Sequence, residues 1–565
     1  MTRSGGGLLN LHSYGLSNIL IYGNPQKSLF FKTYKSITNF GIQRFRLDSI
    51  KDNEIKVSDS VTIEYEIKRY AQMVGDCYLV VNLPDVYSPI YKYEHTVDGN
   101  IIKEYYAPEF RWVDELGVNM IREVEVQSGG QTISRYTGEY FSILAHRDNR
   151  HKYGIWKEMV GHVPELTNPL RRCPETGSMY YPNAIYDEDA ELISGNIEPS
   201  IRGRKLYIPL DMWFCRDISD ALPLVATQYA PISIRVQLRP LSELYVVRER
   251  LSRIDSDGKV LEHRKGPYIA PNLSIYEHHP HRFFNQPASG PLEPKSQTDA
   301  MHPKTKLDWK TDIHVMSTYY FLSDEELKVI AQRVYKRLIL DVYNYTITNI
   351  YEPTIRRVYS SGLVASYTFR LRRSDVNKRN EWFNYTNRSQ YNYTPKSYNL
   401  NTILSDTDKR SIHDNFYYYS GGIEHENQER ILDKFNIIMD GIERENDMDM
   451  GVVQYIEPYA RSRFYEKHGM YEYNFTTDTN TRKYQPCGGM NMDKFGEIMF
   501  KIETILPPRL EGGGAINICD DLENIIGSNK RNPDLYEYTY EMEVYEERYN
   551  TLTIRSGNIG LLFAR

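Results

Sequence analysis

Cysteine is scarce in this chain. There are five, Cys77, Cys173, Cys215, Cys487 and Cys519, and no two are spaced as a CxxC pair. Thiols this sparse exclude a disulfide-framed secreted scaffold and fit a reducing compartment. Long apolar runs are missing as well. Stretches such as Cys77 to Val81 have strand length, well short of the ~20 apolar residues of a spanning helix. The opening MTRSGGGLLNLHSYG lacks the apolar core of a secretory signal. An excess of positive charge is also absent: 69 Lys and Arg against 75 Asp and Glu leave a net charge of −6. That argues against a protein that wraps a genome by itself, because such affinity comes from neutralising phosphates. With 35 Gly and 27 Pro in 565 residues, collagen and low-complexity chains are excluded too.

The motifs of common enzyme classes are not found. There is no GxxxxGK(S/T), no GxSxG and no HExxH. Gly5-Gly6-Gly7 follows no strand and reads as a flexible arm. Asp520-Asp521 reads as solvated carboxylates rather than a glycosidase pair. His278, His279 and His281 are interrupted by Pro280 with no cysteine near, so they read as a solvated loop rather than a metal site. The acidic run Glu443 to Asp449 lacks the Gly and terminal Glu of a calcium loop. No catalytic residue, cofactor or metal is expected.

What the chain has in abundance is tyrosine, 48 against 19 Phe and 5 Trp. An A+T-rich coding sequence would give the same excess, but tyrosine also suits strands and half-buried surfaces. Period-two alternation then recurs along the chain. Val61, Ile63, Tyr65 and Ile67 alternate with polar residues, as do Val124 and Val126, and Ile232, Ile234, Val236 and Leu238. Later come Ala365, Tyr367, Phe369 and Leu371, then Ile498, Phe500 and Ile502, then Tyr536 to Val544. Such strands carry one apolar and one polar face, as a two-sheet sandwich requires. The clearest helix signal is the capping box Ser323-Asp324-Glu325-Glu326 ahead of Leu327, Ile330, Ala331 and Val334, for a helix of about three turns. Strands fall into two groups, giving an arm at 1–24, a first strand-rich lobe at 25–240 and a second at 311–565. A proline-rich connector at 241–310 separates them, and long loops at about 373–480 interrupt the second.

Five segments resemble the major capsid proteins of nucleocytoplasmic large DNA viruses. They occur in that family's order and span nearly the whole chain. Residues 5–40 contain Gly23-Asn24-Pro25-Gln26 and Phe30-Phe31-Lys32. Residues 126–141 contain the turn Gly129-Gly130-Gln131 and then a Gly-Glu pair. Residues 208–229 place Pro209, Trp213-Phe214, Pro223 and Gln228-Tyr229 in register. Residues 321–332 match the family's helix, and 485–495 with 549–563 match its C-terminal pair. Asn10 replaces the family's usual Gln, and 373–480 is longer than many members need, which leaves a divergent paralogue open.

The resemblance implies an all-β double jelly roll: two eight-stranded antiparallel β-sandwiches, long loop insertions and a few short helices. It implies no enzyme but a structural capsid protein of a large icosahedral double-stranded DNA virus, in trimeric pseudo-hexagonal capsomers. Its partners would be itself, neighbouring capsomers, minor capsid and penton proteins and the internal viral membrane, with no direct nucleic-acid contact. Its place would be the virion, after synthesis in the host cytoplasm. The motif residues are expected to pack cores and turns. Of the sequons, Asn384, Asn387 and Asn392 are the first candidates for glycosylation. Two alternatives remain, a carbohydrate-binding β-sandwich protein with Tyr-rich loops and a transient assembly scaffold of the same fold.

Overall fold

The computed structural model describes residues 5–563 apart from 51–53, 98–99, 149–151, 173–178, 183–197, 255–259, 285–308, 333, 388–429, 447, 463–466, 480–484, 506–516, 520–524 and 529–537. Two sandwiches form its body. In the first, one sheet runs Phe40–Leu47, Ile313–Leu322, Met73–Asn82, Lys205–Pro209. The facing sheet runs Val61–Glu66, Ile232–Leu238, Ile121–Ser128, Gln131–Thr137. In the second, Tyr335–Ile350, Tyr540–Arg555, Leu363–Arg373 and Met470–Asn474 face Thr354–Arg357, Ile498–Thr504, Leu432–Met439 and Ile442–Glu443. All these pairings are antiparallel, and strands distant in sequence lie side by side. Each lobe is therefore an eight-stranded jelly roll.

Alternation in the sequence explains the sheets. Ile232, Ile234, Val236 and Leu238 are buried, and the residues between them are half-buried. Ile498, Phe500 and Ile502 behave the same way. In the second lobe Phe369 packs 4.3 Å from Phe435 and Phe435 packs 5.2 Å from Phe500, centroid to centroid, so aromatic rings from both sheets close that core.

The lobe boundaries differ from expectation in two places. Ile313–Leu322 belongs to the first lobe, not the second. It lies between Phe40–Leu47 and Met73–Asn82 and satisfies backbone groups of both. The stretch 241–310 is thus an insertion before the last strand of the first jelly roll, and part of it is strand: Tyr245–Ile254 pairs with Val260–Ile269 and with Phe110–Trp112. The second lobe starts only after the helix Asp324–Gln332, which begins where the capping box places it. Likewise 373–480 is not all loop. Leu432, Phe435, Ile437 and Met439 anchor a strand in the second core, and Met470–Asn474 is wholly buried.

The Gly-Glu pair of the second motif opens the helix Gly138–Asp148, every residue of which is buried. A Cβ on Gly138 would collide with the carbonyl oxygens of Val118 and Ile121, so only glycine lets the helix sit this close. Gly138→Ala is expected to cost about 1–3 kcal/mol, as overpacking does. Thermal unfolding checks it, and an unchanged midpoint would remove this constraint from the account.

Candidate functional site, a buried ionic seam between the lobes

The helix Gly138–Asp148 leaves the first sandwich and lies on a sheet of the second. That sheet buries both its faces. Tyr540, Met542 and Val544 fill the second core, while Glu543, Tyr545 and Glu547 on the alternate face meet the first lobe. The result is a row of charges closed off from water.

Arg147 is the centre of the first cluster. Its Nη2 and Nη1 donate to Glu547 Oε1 and Oε2 at 2.7 and 3.2 Å, and Nη1 also reaches Thr368 Oγ1 at 3.2 Å. Its Nε donates to the neighbouring Asp148 at 3.1 Å. Tyr140 Oη and Ser366 Oγ add bonds to Glu547, each 2.7 Å. Burial alone would raise the Glu547 pKa, but the Arg147 charge and these donors reverse that and hold it below the ordinary value. In the second cluster, Arg370 of the second lobe bridges Glu139 of the first and Glu543 of its own sheet. Arg372 adds a bond to Glu139 at 3.4 Å, and the Tyr545 hydroxyl lies 2.8 Å from Glu543 and 3.1 Å from Glu139. In the third, Lys467 Nζ donates to Glu115 Oε1 at 2.8 Å, where His146 Nε2 also lies at 3.2 Å, and Ser142 binds the other oxygen. Burial raises the Glu115 pKa, and Lys467 with His146 more than offsets it, leaving it well below the usual carboxylate range.

A hook of chain after Leu363–Arg373 completes the seam. Asn380 Nδ2 donates to the carbonyls of Ser242 and Tyr245 at 2.7 and 2.8 Å, and Trp382 Nε1 to that of Glu243 at 2.9 Å. Asp375 holds the hook by accepting from Arg373 and Arg379, each at 2.7 Å. At the seam's edge the Tyr229 amide donates to the Gly557 carbonyl at 3.3 Å, so the third and fifth motif segments meet.

The motif residues divide accordingly. Trp213, Phe214 and Pro223 are buried, with Trp213 and Phe214 edge to face at 5.2 Å, and Pro209 pairs opposite Tyr78. Gly129 and Gly130 take φ of +57° and +82° in a tight turn before the exposed Gln131. Asn24 takes +51° between Gly23 and Pro25-Gln26, where the arm ends, while Gln228 and Tyr229 are exposed. The arm presents Leu8, Leu9, Leu16 and Leu20 to solvent, and the stretch after it, before the strand at Phe40, presents Leu29 and Phe30, both more than nine-tenths exposed.

Other expectations change. His278 and His281 are buried, not solvated: the Tyr245 hydroxyl donates to the His278 carbonyl at 2.8 Å, and burial lowers the His278 pKa to about 4. Among the described residues no cluster fit for a metal is found, and no helix is long and apolar enough to cross a membrane. Asn384 is buried, donates to Glu381 at 2.8 Å and accepts from Thr386, so a glycan there would need the hook opened. Asn387 accepts from the hydroxyls of Tyr538 and Tyr540 at 3.0 and 3.2 Å. Asn392, Cys173, Asp520-Asp521 and most of the Tyr-rich stretch behind the carbohydrate alternative lie outside the described residues. Arg370 and Glu543 escape sequence reasoning because alternation marks their faces as polar, and polar reads as solvated; Arg147 lies on a helix the sequence does not signal, and Glu472 in a stretch that reads as loop.

Two jelly rolls fused flank to flank define the double jelly-roll class. The model for the major capsid protein N-terminus matches residues 28–276. The major capsid protein of Chrysochromulina ericina virus is 29% identical over 256 residues, 42% of this chain and 42% of that one. The probable capsid protein 4 of Acanthamoeba polyphaga mimivirus is 28% identical over 241 residues, 42% of this chain and 39% of that one. The chain thus spans about two fifths of the length of these relatives. Among solved structures the Faustovirus major capsid protein superposes with a TM-score of 0.57 at 13% identity, over 96% of this chain and 94% of that one. Residues 28–276 thus match the N-terminal model of the major capsid proteins, and the chain is similar to capsid proteins of large DNA viruses.

Arg147→Met would leave buried carboxylates without their cation, and breaking such a pair costs about 3–5 kcal/mol. Urea unfolding is expected to show a loss of that size, and Arg147→Met with Glu547→Leu to recover most of it. Equal losses in the single and double variants would mean that the pair itself does not hold the lobes.

Proposed function

We propose that this chain is structural building material for the icosahedral shell of a large double-stranded DNA virus. The observation that carries the reading is the seam: two jelly rolls in a single chain, locked into one body. Three such bodies around a threefold axis present six similar lobes, and a six-lobed capsomer tiles a shell by its edges. The interface within a capsomer is of the obligate kind, above ~2,000 Å². Contacts between capsomers are smaller and more polar, reversible singly and strong when repeated over a closed lattice.

The exposed arm supports a contact role. An apolar surface this open is unfavourable in water and fits a covered position in an assembly. In this reading the arm lies at the capsomer base, toward minor capsid proteins or the internal viral membrane. Loops of the second lobe crown the outside, penton proteins and neighbouring capsomers complete the surroundings, and chains are made in the host cytoplasm. The role is structural rather than enzymatic, consistent with family and fold.

Light scattering on the purified chain of 66.3 kDa is the test. A threefold assembly of about 200 kDa is expected, following the closed symmetry usual for homo-oligomers. A stable monomer at all concentrations would contradict the capsomer reading, and so would absence of the protein from mature particles.

A further inference from the structure

Glu472 is where the charges of the seam fail to balance. It lies on the strand Met470–Asn474, opposite Thr368 of Leu363–Arg373, and its carboxyl is wholly buried. Oε2 accepts from Ser462 Oγ at 2.6 Å. Oε1 has no hydrogen-bond partner among the described residues and stands 3.8 Å from Arg147 Nη1.

The described groups around it come from four elements. The helix Gly138–Asp148 brings Arg147 and Asp148. The strand Tyr540–Arg555 brings Glu547. The strand Leu363–Arg373 brings neutral Ser366 and Thr368, its Arg370 being engaged by Glu139 and Glu543. The segment before Met470 brings Ser462; its Arg461 pairs with Glu457 and its Lys467 with Glu115. Arg147 already gives both Nη groups to Glu547 and its Nε to Asp148. Among the described residues, Glu472, Glu547 and Asp148 all lie against this one guanidinium in a place closed to water. Ionising all three would strand excess negative charge where desolvation is most costly.

We propose that Glu472 is a proton-binding site: its carboxyl is held neutral in the assembled seam, and loss of that proton on alkalinisation weakens the hold of one lobe on the other. Burial is the main cause, pushing its pKa up to about 7 against the partial relief from Arg147 and Ser462. The sign follows. The folded value lies above the ordinary 4.5, so this contribution to stability is complete below 4.5 and is lost as pH rises through about 7. Glu547 and Glu115, held low, act oppositely and lose theirs as pH falls through their depressed values. Asp220, raised by burial to about 6, also titrates nearby, so the wild type alone does not isolate Glu472.

The test is urea unfolding of the full chain between pH 6 and pH 8 at fixed protein concentration, beside Glu472→Gln. Between these limits the folding constant of the wild type is expected to fall about tenfold more than that of the variant, the effect of one proton released. Parallel pH profiles would overturn the proposal. Should Glu472→Gln not fold, Asp148→Asn serves instead. Removing a neighbouring negative charge eases the ionisation of Glu472 and lowers its pKa, so the alkaline loss should move to lower pH; an unmoved profile, or a shift to higher pH, overturns the proposal. The readout is within one chain and does not depend on how many chains associate.

Discussion

The structure depends on charge buried between two sandwiches. The apolar core of the first lobe continues across the seam onto Ile339, Val342, Tyr545, Leu552 and Ile554 of the second, and beside these the same outer face carries charged residues that are covered rather than solvated. Taking Arg147, Arg370 and Lys467 out of water is unfavourable unless each finds carboxylates in good geometry. Arg147 finds Glu547 across the seam with two hydrogen bonds, and Arg370 joins Glu139 to Glu543 across it. Such an arrangement tolerates few alternatives. A slip of one lobe against the other would leave several charges unpaired at once, so the seam specifies a relative placement that apolar contact alone would leave looser.

In the shell role proposed above, that placement is what the subunit must keep. Lattice contacts repeated many times carry error forward when a subunit bends, so a subunit of two lobes serves best as one body. The hook at Asn380 and Trp382 and the meeting of Tyr229 with Gly557 reinforce the seam at other points. The arm is the opposite case: among the described residues its Leu side chains find no cover.

Much of the fold was legible in the sequence because alternation reports one buried face. Ile232 to Leu238 and Ile498 to Thr504 form the strands their pattern implies, and the Gly129-Gly130 turn and the helix after Ser323 fall where expected. The lobe boundary was misplaced because a proline-rich insertion resembles a linker, while the strand after it, Ile313–Leu322, returns to a sheet begun far earlier. The seam was illegible for a related reason. Glu543 and Arg370 sit at positions that alternation calls polar, and a single sequence does not distinguish a polar face in water from one paired with another lobe. The Gly138-Glu139 pair was marked only by its resemblance to the family's motif; its reason, close packing followed by a bridge to Arg370, appears only in three dimensions.

The central claim is that the seam makes one cooperative body of two jelly rolls. Differential scanning calorimetry of the wild-type chain tests it most directly, through the ratio of calorimetric to van't Hoff enthalpy per unfolding unit. One transition involving both lobes together is the result this account predicts; two resolved transitions, each with the enthalpy of a single lobe, would contradict it.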